Sequence, residues 1–316
     1  MKKVIAVFFL FCSCSFSVLA PNNFKNISLI SFKNNSSFII GEGVQAFTSR
    51  RNIKPFAMNK YETTYSLWYQ TRIKAEKIGY VFSNKGRPGS EGKVGSVPNE
   101  INSTLPVTMI NWYDVIVWCN ALSELKNLTP CYTYKGKILR DSGDAECDLA
   151  ECNWNADGYR LPCEAEWEYA SRRTKSGLQS GGLVSGQITP DGKDDFEMDA
   201  SVLYWDCSNS NEARPVGITG TLFSPDTIPE NGTGTSNGAG LYDMSGNVLE
   251  FCWDWFSGYN NFNSDYGPEF GEQRVCRGGS FSEYTPFIYC ADRYSYDPNE
   301  AYNYIGFRIC RSLISE

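Results

Sequence analysis

Thiols and carboxylates are the groups in this 316-residue chain that could hold a metal or move a proton, because the sequence contains no histidine. That absence excludes a Ser/His/Asp triad, a Cys/His dyad, histidine-ligated zinc or iron, and a histidine general base. The 12 cysteines include no CxxC pair, so their spacing does not point to zinc. In an exported chain such thiols are plausible disulfides. Cys147 and Cys152 are spaced to close a short loop, and Cys276 and Cys310 flank the last segment and could brace it. No pair of carboxylates and no activated nucleophile stands out as a catalytic centre. The formal charge of −7, from 29 basic and 36 acidic residues, argues against a nucleic-acid partner.

The elements that must position these groups are few. Met1, Lys2 and Lys3 precede an apolar run from Val4 to Phe11, the n-region and h-region of a signal peptide and far short of the ~18 residues that span a bilayer. Cys12, Ser13 and Cys14 then resemble a relaxed bacterial lipobox, with Cys14 as the acylated residue; the alternative is cleavage after Ala20. Loss of Lys2 and Lys3 would take the charge from −7 to −9. A lipid on Cys14 would anchor the exported chain to the bacterial outer membrane or cell surface without a transmembrane helix. Residues 14–35 read as a polar tether, 36–312 as one domain with no repeat, and 313–316 as a tail, and a monomer is expected. Asn111 is a good N-cap, with Asp114 three residues on and Trp112, Val115, Ile116, Cys119 and Leu122 at helical spacing, which predicts an amphipathic helix over 112–124. Ala165, Trp167, Tyr169 and Ala170 among Glu164, Glu166 and Glu168 predict a second over 164–172, its acids favouring the helix dipole. A third begins near Thr64 and carries Leu67 and Trp68. Beyond about residue 175 the Gly-, Ser-, Asn- and Asp-rich pattern favours loops and brief strands, giving an α+β domain about a fifth helical.

Four segments in order, PVTMINWYDVIVWCNALSE (106–124), GYRLPCEAEWEYASR (158–172), NGAGLYDMSGNVLEFCWDW (237–255), and RVCRGGSF (274–281) with IGFRICR (305–311), resemble the formylglycine-generating enzyme, or sulfatase-modifying-factor, superfamily. The resemblance implies a variant of the C-type lectin fold. Enzymes of that family oxidise a substrate cysteine with a copper ion held by two cysteines between the GGS motif and the following arginine-rich strand. Thiolates suit soft Cu(I), yet Phe281 to Tyr289 contains no cysteine, and Cys290 falls at a position that is structural in the enzyme. No copper is therefore expected, and the iron-dependent branches of the superfamily need histidines. Cys163 stands where a capping Thr is usual, at the loss of an oxygen worth ~1 kcal/mol. The DMSGNVLE stretch resembles the family's calcium loop, which implies a calcium site at Asp243, Gly246, Val248 and Glu250, two carboxylates and two backbone carbonyls. The other reading is that Asp243 and Glu250 cap turns.

From Phe281 to Tyr304 the chain has six tyrosines and two phenylalanines in 24 residues, with no Lys, Gln, Trp, Met, Leu, Val or Gly. Tyr with Ser and Asn is the vocabulary of antibody-like paratopes, because a tyrosine brings broad contact area at low rotamer entropy. The segment also resembles the variable region of diversity-generating-retroelement proteins, randomised between an RGGSW-like entry and an IGFR-like exit, and the lipobox fits the variable lipoproteins of treponemes. In such proteins the adenines of asparagine codons ending in a pyrimidine are randomised, which cannot produce Glu, so Glu283 and Glu300 read as unmutated positions. The resemblance implies a ligand-binding face formed by Ser282, Tyr284, Phe287, Tyr289, Asp292, Tyr294, Tyr296, Asn299, Tyr302, Asn303 and Tyr304, supported by Arg277, Ser280, Arg293, Gly306 and Arg308. The expected function is surface-displayed binding of a protein ligand without catalysis. The alternatives are a formylglycine-generating-type oxidase, an envelope protein with an inert face, and, for the tyrosines, ordinary packing of an aromatic-rich fold.

Overall fold

Three helices and two four-stranded sheets carry the fold in the computed structural model, which describes residues 27–187, 202–221, 232–284 and 287–314. The signal segment, Cys14 and the cleavage point after Ala20 lie outside those residues. The helices are α1 (Tyr65–Glu76), α2 (Trp112–Leu125) and α3 (Glu164–Ser171), of 12, 14 and 8 residues, less helix than the expected fifth. Each starts where its cap dictates. Thr64 accepts from the Leu67 N–H at the head of α1, and Asn111 and Asp114 form a reciprocal capping box on α2.

Helix α2 has no solvent face along most of its length: Val117, Trp118, Asn120 and Ala121 are buried along with the expected apolar stripe. Its polar residues are satisfied inside. Asn120 donates to the carbonyls of Tyr132 and Leu139 and accepts from Tyr132 N–H, while Asp114 accepts from Ser83, Asn84 and Ser142. Trp68 of α1 stacks on Trp118 of α2 with ring centroids 5.7 Å apart, and Phe307 closes on both edge-on.

One sheet runs Leu29–Phe32, Phe56–Asn59, Cys310–Ser312, Tyr159–Arg160, antiparallel throughout, so the first and last strands flank the same neighbour. The other runs Arg293–Tyr296, Arg274–Arg277, Leu249–Trp255, Ile305–Gly306, with the last pair parallel. Strand Leu249–Trp255 is the wall between two large hydrophobic clusters. Leu249 and Phe251 face the cluster built on α1 and α2, whereas Cys252 faces the cluster built on α3.

On the α3 side the sequence reading needs correcting. Glu164, Glu166 and Glu168, expected to serve the helix dipole, are all buried, because each meets an arginine from elsewhere in the chain. Arg160 grips Glu166 bidentately at 2.7 and 2.8 Å, Arg293 grips Glu164 at 2.5 and 2.7 Å, and Glu168 is held by Arg277 at 2.5 Å and Arg172 at 3.1 Å. The capping oxygen that Cys163 lacks comes from another strand: Asp254 accepts from Glu164 N–H at 2.7 Å, and Glu166 accepts from Cys163 N–H at 3.0 Å. The disulfide expectations also fail, since all ten described cysteines are free thiols. Cys276 and Cys310 belong to different clusters, and the Cys147 thiol donates to the Asp141 carbonyl instead of meeting Cys152.

Replacing Arg160 by Met strands the buried Glu166 carboxylate and is expected to cost about 3–5 kcal/mol. Lys137→Met, at an exposed ion pair with Glu146, should cost under ~1 kcal/mol; urea unfolding of both variants checks the contrast. Burial and then the Glu164 charge push the Asp254 carboxyl up to about 8 from an ordinary 3.8. The folded state therefore holds that proton more tightly than the unfolded chain, so this group makes stability fall as pH rises from about 4 through about 8. Asp254→Asn keeps an acceptor for Glu164 N–H, and its urea midpoint is expected to lose that part of the pH slope between about pH 5 and about pH 9.

Candidate ligand-binding face

The segment from Ser282 to Tyr304 is held by its backbone. Its carbonyls at Pro298, Tyr302 and Tyr304 accept from Trp112, Met109 and Leu249, its N–H groups at Cys290 and Ala291 reach Leu183 and Gly181, and Asn111 holds the Asn299 carbonyl at 3.3 Å. Close approach is possible because Gly279, at φ +70°, has no side chain: a Cβ there would lie 2.3 Å from Ile288. Ile288 and Cys290 are fully buried and act as plugs. Thr285 and Pro286 lie outside the described residues.

None of the 11 expected face residues is buried, but they are not equally open. Ser282, Tyr284, Phe287 and Asn299 are exposed, with Tyr284 at 65% and Phe287 at 56%, while Tyr289, Asp292, Tyr294, Tyr296, Tyr302, Asn303 and Tyr304 are half-buried. The face is thus shallower than expected. Tyr296, Tyr302 and Tyr304 pack on one another with centroids 5.1, 5.2 and 6.0 Å apart, and with Tyr294 they rest their inner edges on the α1–α2 cluster. The Tyr294 hydroxyl donates to the Phe287 carbonyl, tying the strand to the preceding loop. Tyr289 joins a separate small cluster with Val184 and Leu203. Asp292 is a supporting residue: its carboxylate accepts from Tyr289 N–H at 2.8 Å and its carbonyl from Arg277. Burial raises the Tyr294 and Tyr296 hydroxyls, and a bond to Glu300 pushes Tyr302 up to about 12, so these rings stay neutral phenols. Glu283 has a structural task, since its carboxylate accepts from the Ser280 N–H at 2.7 Å.

The supporting arginines are pinned beneath. Arg277 and Arg308 are fully buried, and the Arg293 side chain is 5% exposed. Arg308 grips Glu250 at 2.5 and 2.6 Å and donates to the carbonyls of Tyr242 and Asp243. That contact bears on the calcium expectation. Glu250 is occupied by Arg308 and by Trp167 Nε1 at 2.8 Å, and Asp243 accepts from Gly217 N–H at 2.6 Å and from Thr219 at 2.5 Å. Both carboxylates face protein donors, one of them a cation, so this oxygen set does not fit a divalent ion. The copper donors do not fit either. Cys290 is a single thiol, buried against the Ser171 carbonyl at 3.6 Å and pushed up to about 12 by burial, which opposes the thiolate that copper needs.

A profile of the sulfatase-modifying factor enzyme 1-like domain matches residues 31–313. The chain belongs to that family. Its sheet and loop architecture is the α+β, C-type-lectin-like fold of sulfatase-modifying-factor domains. Among solved structures, Treponema denticola variable protein 1 superposes with a TM-score of 0.65 at 27% identity, covering 90% of this chain and 95% of that one. The formylglycine-generating enzyme of Mus musculus is 33% identical over 167 residues, 51% of this chain and 40% of that protein. The chaperone protein LppX of Paenibacillus barcinonensis is 38% identical over 163 residues, 48% of this chain and 52% of that protein. The chain thus spans about half, or less, of the curated relatives it matches. The sulfatase-modifying-factor family includes enzymes and variable proteins alike, so membership leaves catalysis to be argued from the site. Among the described residues no helix is long and apolar enough to cross a membrane.

Two measurements check this geometry. Tyr284→Ser and Phe287→Ser are expected to change unfolding free energy by under ~0.5 kcal/mol, whereas Ile288→Ala beside Gly279 should cost about 2–5 kcal/mol. Calcium and chelator are expected to leave the melting temperature unchanged; a rise in calcium that reverses with chelator would restore the ligand set to Asp243 and Glu250.

Proposed function

We propose that this sulfatase-modifying-factor domain is a binding protein that presents the segment 282–304 to a protein ligand, carried on the bacterial surface by a lipid on Cys14, and that it has no turnover. The observation that carries the reading is the division of labour in the segment: backbone and plug residues are tied to the scaffold, while none of the 11 face side chains is buried. A face built this way tolerates change, because substitutions at exposed positions cost little and those at Arg277, Ile288 or Arg308 cost much. The tyrosine cluster supplies a rigid apolar platform with polar tips, suited to protein contact. The structural similarity to a treponemal variable protein supports the same reading. The rival, an oxidase of the formylglycine-generating type, draws support from the sequence relatives but would need a copper ligand pair that Cys290 alone does not supply.

A displayed library that randomises Ser282, Tyr284, Phe287, Tyr289, Tyr294, Tyr296, Asn299, Tyr302, Asn303 and Tyr304 tests the reading. Most members are expected to remain protease-resistant, and selection on purified lysozyme and on serum albumin should yield binders with different sequences. Collapse of most members would make the segment structural. Copper-dependent oxygen consumption with a CxPxR peptide would establish the oxidase instead.

A further inference from the structure

Away from the tyrosine face, an open groove of about 500 Å³ lies between the end of strand Leu29–Phe32 and the chain leaving α3, with Lys33 and Lys175 exposed and Arg173 half-buried. Its charged lining is cationic: Lys33, Arg173 and Lys175, with no carboxylate among the lining residues. None of the three forms an ion pair among the described residues, although Arg172, next in sequence, is paired with both Glu42 and Glu168. On a chain with an excess of acids, three cations around one space with no carboxylate partner among the described residues are unexpected. Arg173 and Lys175 follow the C-terminal end of α3, where the helix dipole favours positive charge. Lys33 arrives from a different element, so the dipole does not account for it.

The apolar part of the wall gives the site its second property. Phe32 and Tyr169 meet edge to face at 6.0 Å, and the Arg173 guanidinium lies 5.5 Å over the Tyr169 ring, which steadies it towards the groove without neutralising it. The volume exceeds what a bare inorganic anion fills and lies within the range of small-molecule sites, roughly 300–1,000 Å³. We infer that this groove binds a small organic anion bearing a phosphate or sulfate group, with its charged end between Lys33, Arg173 and Lys175 and its body against Phe32 and Tyr169. Mutual repulsion of the three cations is relieved when the anion enters, so binding weakens as salt screens both terms. The site is independent of the tyrosine face and of the reading given to it.

Titration calorimetry of the full chain with glucose 6-phosphate, inorganic phosphate, inorganic sulfate and uncharged glucose tests the inference, with phosphatidylglycerol vesicles as a separate arm. Glucose 6-phosphate is expected to bind saturably, more tightly than inorganic phosphate or sulfate, and ever more weakly with rising salt. Lys33→Gln and Lys175→Gln should each weaken it about tenfold, equivalent to about 1.4 kcal/mol, with unchanged melting curves. Salt-sensitive binding to the vesicles, lost in the same variants, in place of glucose 6-phosphate binding would assign the phosphate to a lipid headgroup. Equal affinity for glucose, or no saturable binding of any charged probe and no vesicle binding, would overturn the inference.

Discussion

Everything near the candidate face depends on one row of buried carboxylates. Helix α3 sends Glu164, Glu166 and Glu168 into the interior within a single turn and a half; Glu164 and Glu168 are met by guanidinium groups from a distant part of the chain, and Glu166 by Arg160 six residues before it. Burying three like charges this close is costly in isolation, because desolvation and mutual repulsion act together. At Glu164 the arginines reverse the sign: Arg293 and Arg277 hold it below its ordinary carboxylate range in spite of the burial that would raise it. At Glu168 burial still holds the carboxyl above its ordinary range, with Arg277 and Arg172 opposing it.

The positions of those arginines give the row its meaning. Arg277 closes the strand that enters the tyrosine-rich segment, Arg293 opens the strand in its middle, and Arg308 lies just past its exit on Glu250. The segment is thus nailed at entry, middle and exit by ion pairs that contribute nothing to its outer surface. Asp292 and Glu283 extend the same logic by closing local turns. The side chains on top are thus separated from the frame below.

How much of this was legible in the sequence follows from what each signal measures. The helix starts were legible because caps are local: Thr64, Asn111 and Asp114 act within three residues of themselves. That the segment's Tyr, Ser and Asn side chains stay out of the buried core was legible in composition, since these residues accumulate between fixed arginines. The partners of Glu164 and Glu168 were not, because the contacts to Arg293 and Arg277 span 129 and 109 residues and leave no local pattern. The occupancy of Glu250 was hidden for the same reason: it has the oxygens a calcium loop uses, but Arg308, 58 residues on, bonds both of them.

The half-burial of the tyrosines sets a limit on how such a face can change. Tyr296, Tyr302 and Tyr304 lean on one another and on the cluster below, so each contributes both to contact area and to the cohesion of its neighbours. Replacing one ring by serine removes about 150–250 Å² of aromatic surface and also unroofs the next ring, which couples the three positions. Tyr284 and Phe287, by contrast, project freely and can vary alone. The packing therefore sets two regimes for substitution: single changes are tolerated at the exposed tip, whereas across the tyrosine cluster a ring is best exchanged for another flat side chain that keeps the remaining two in place.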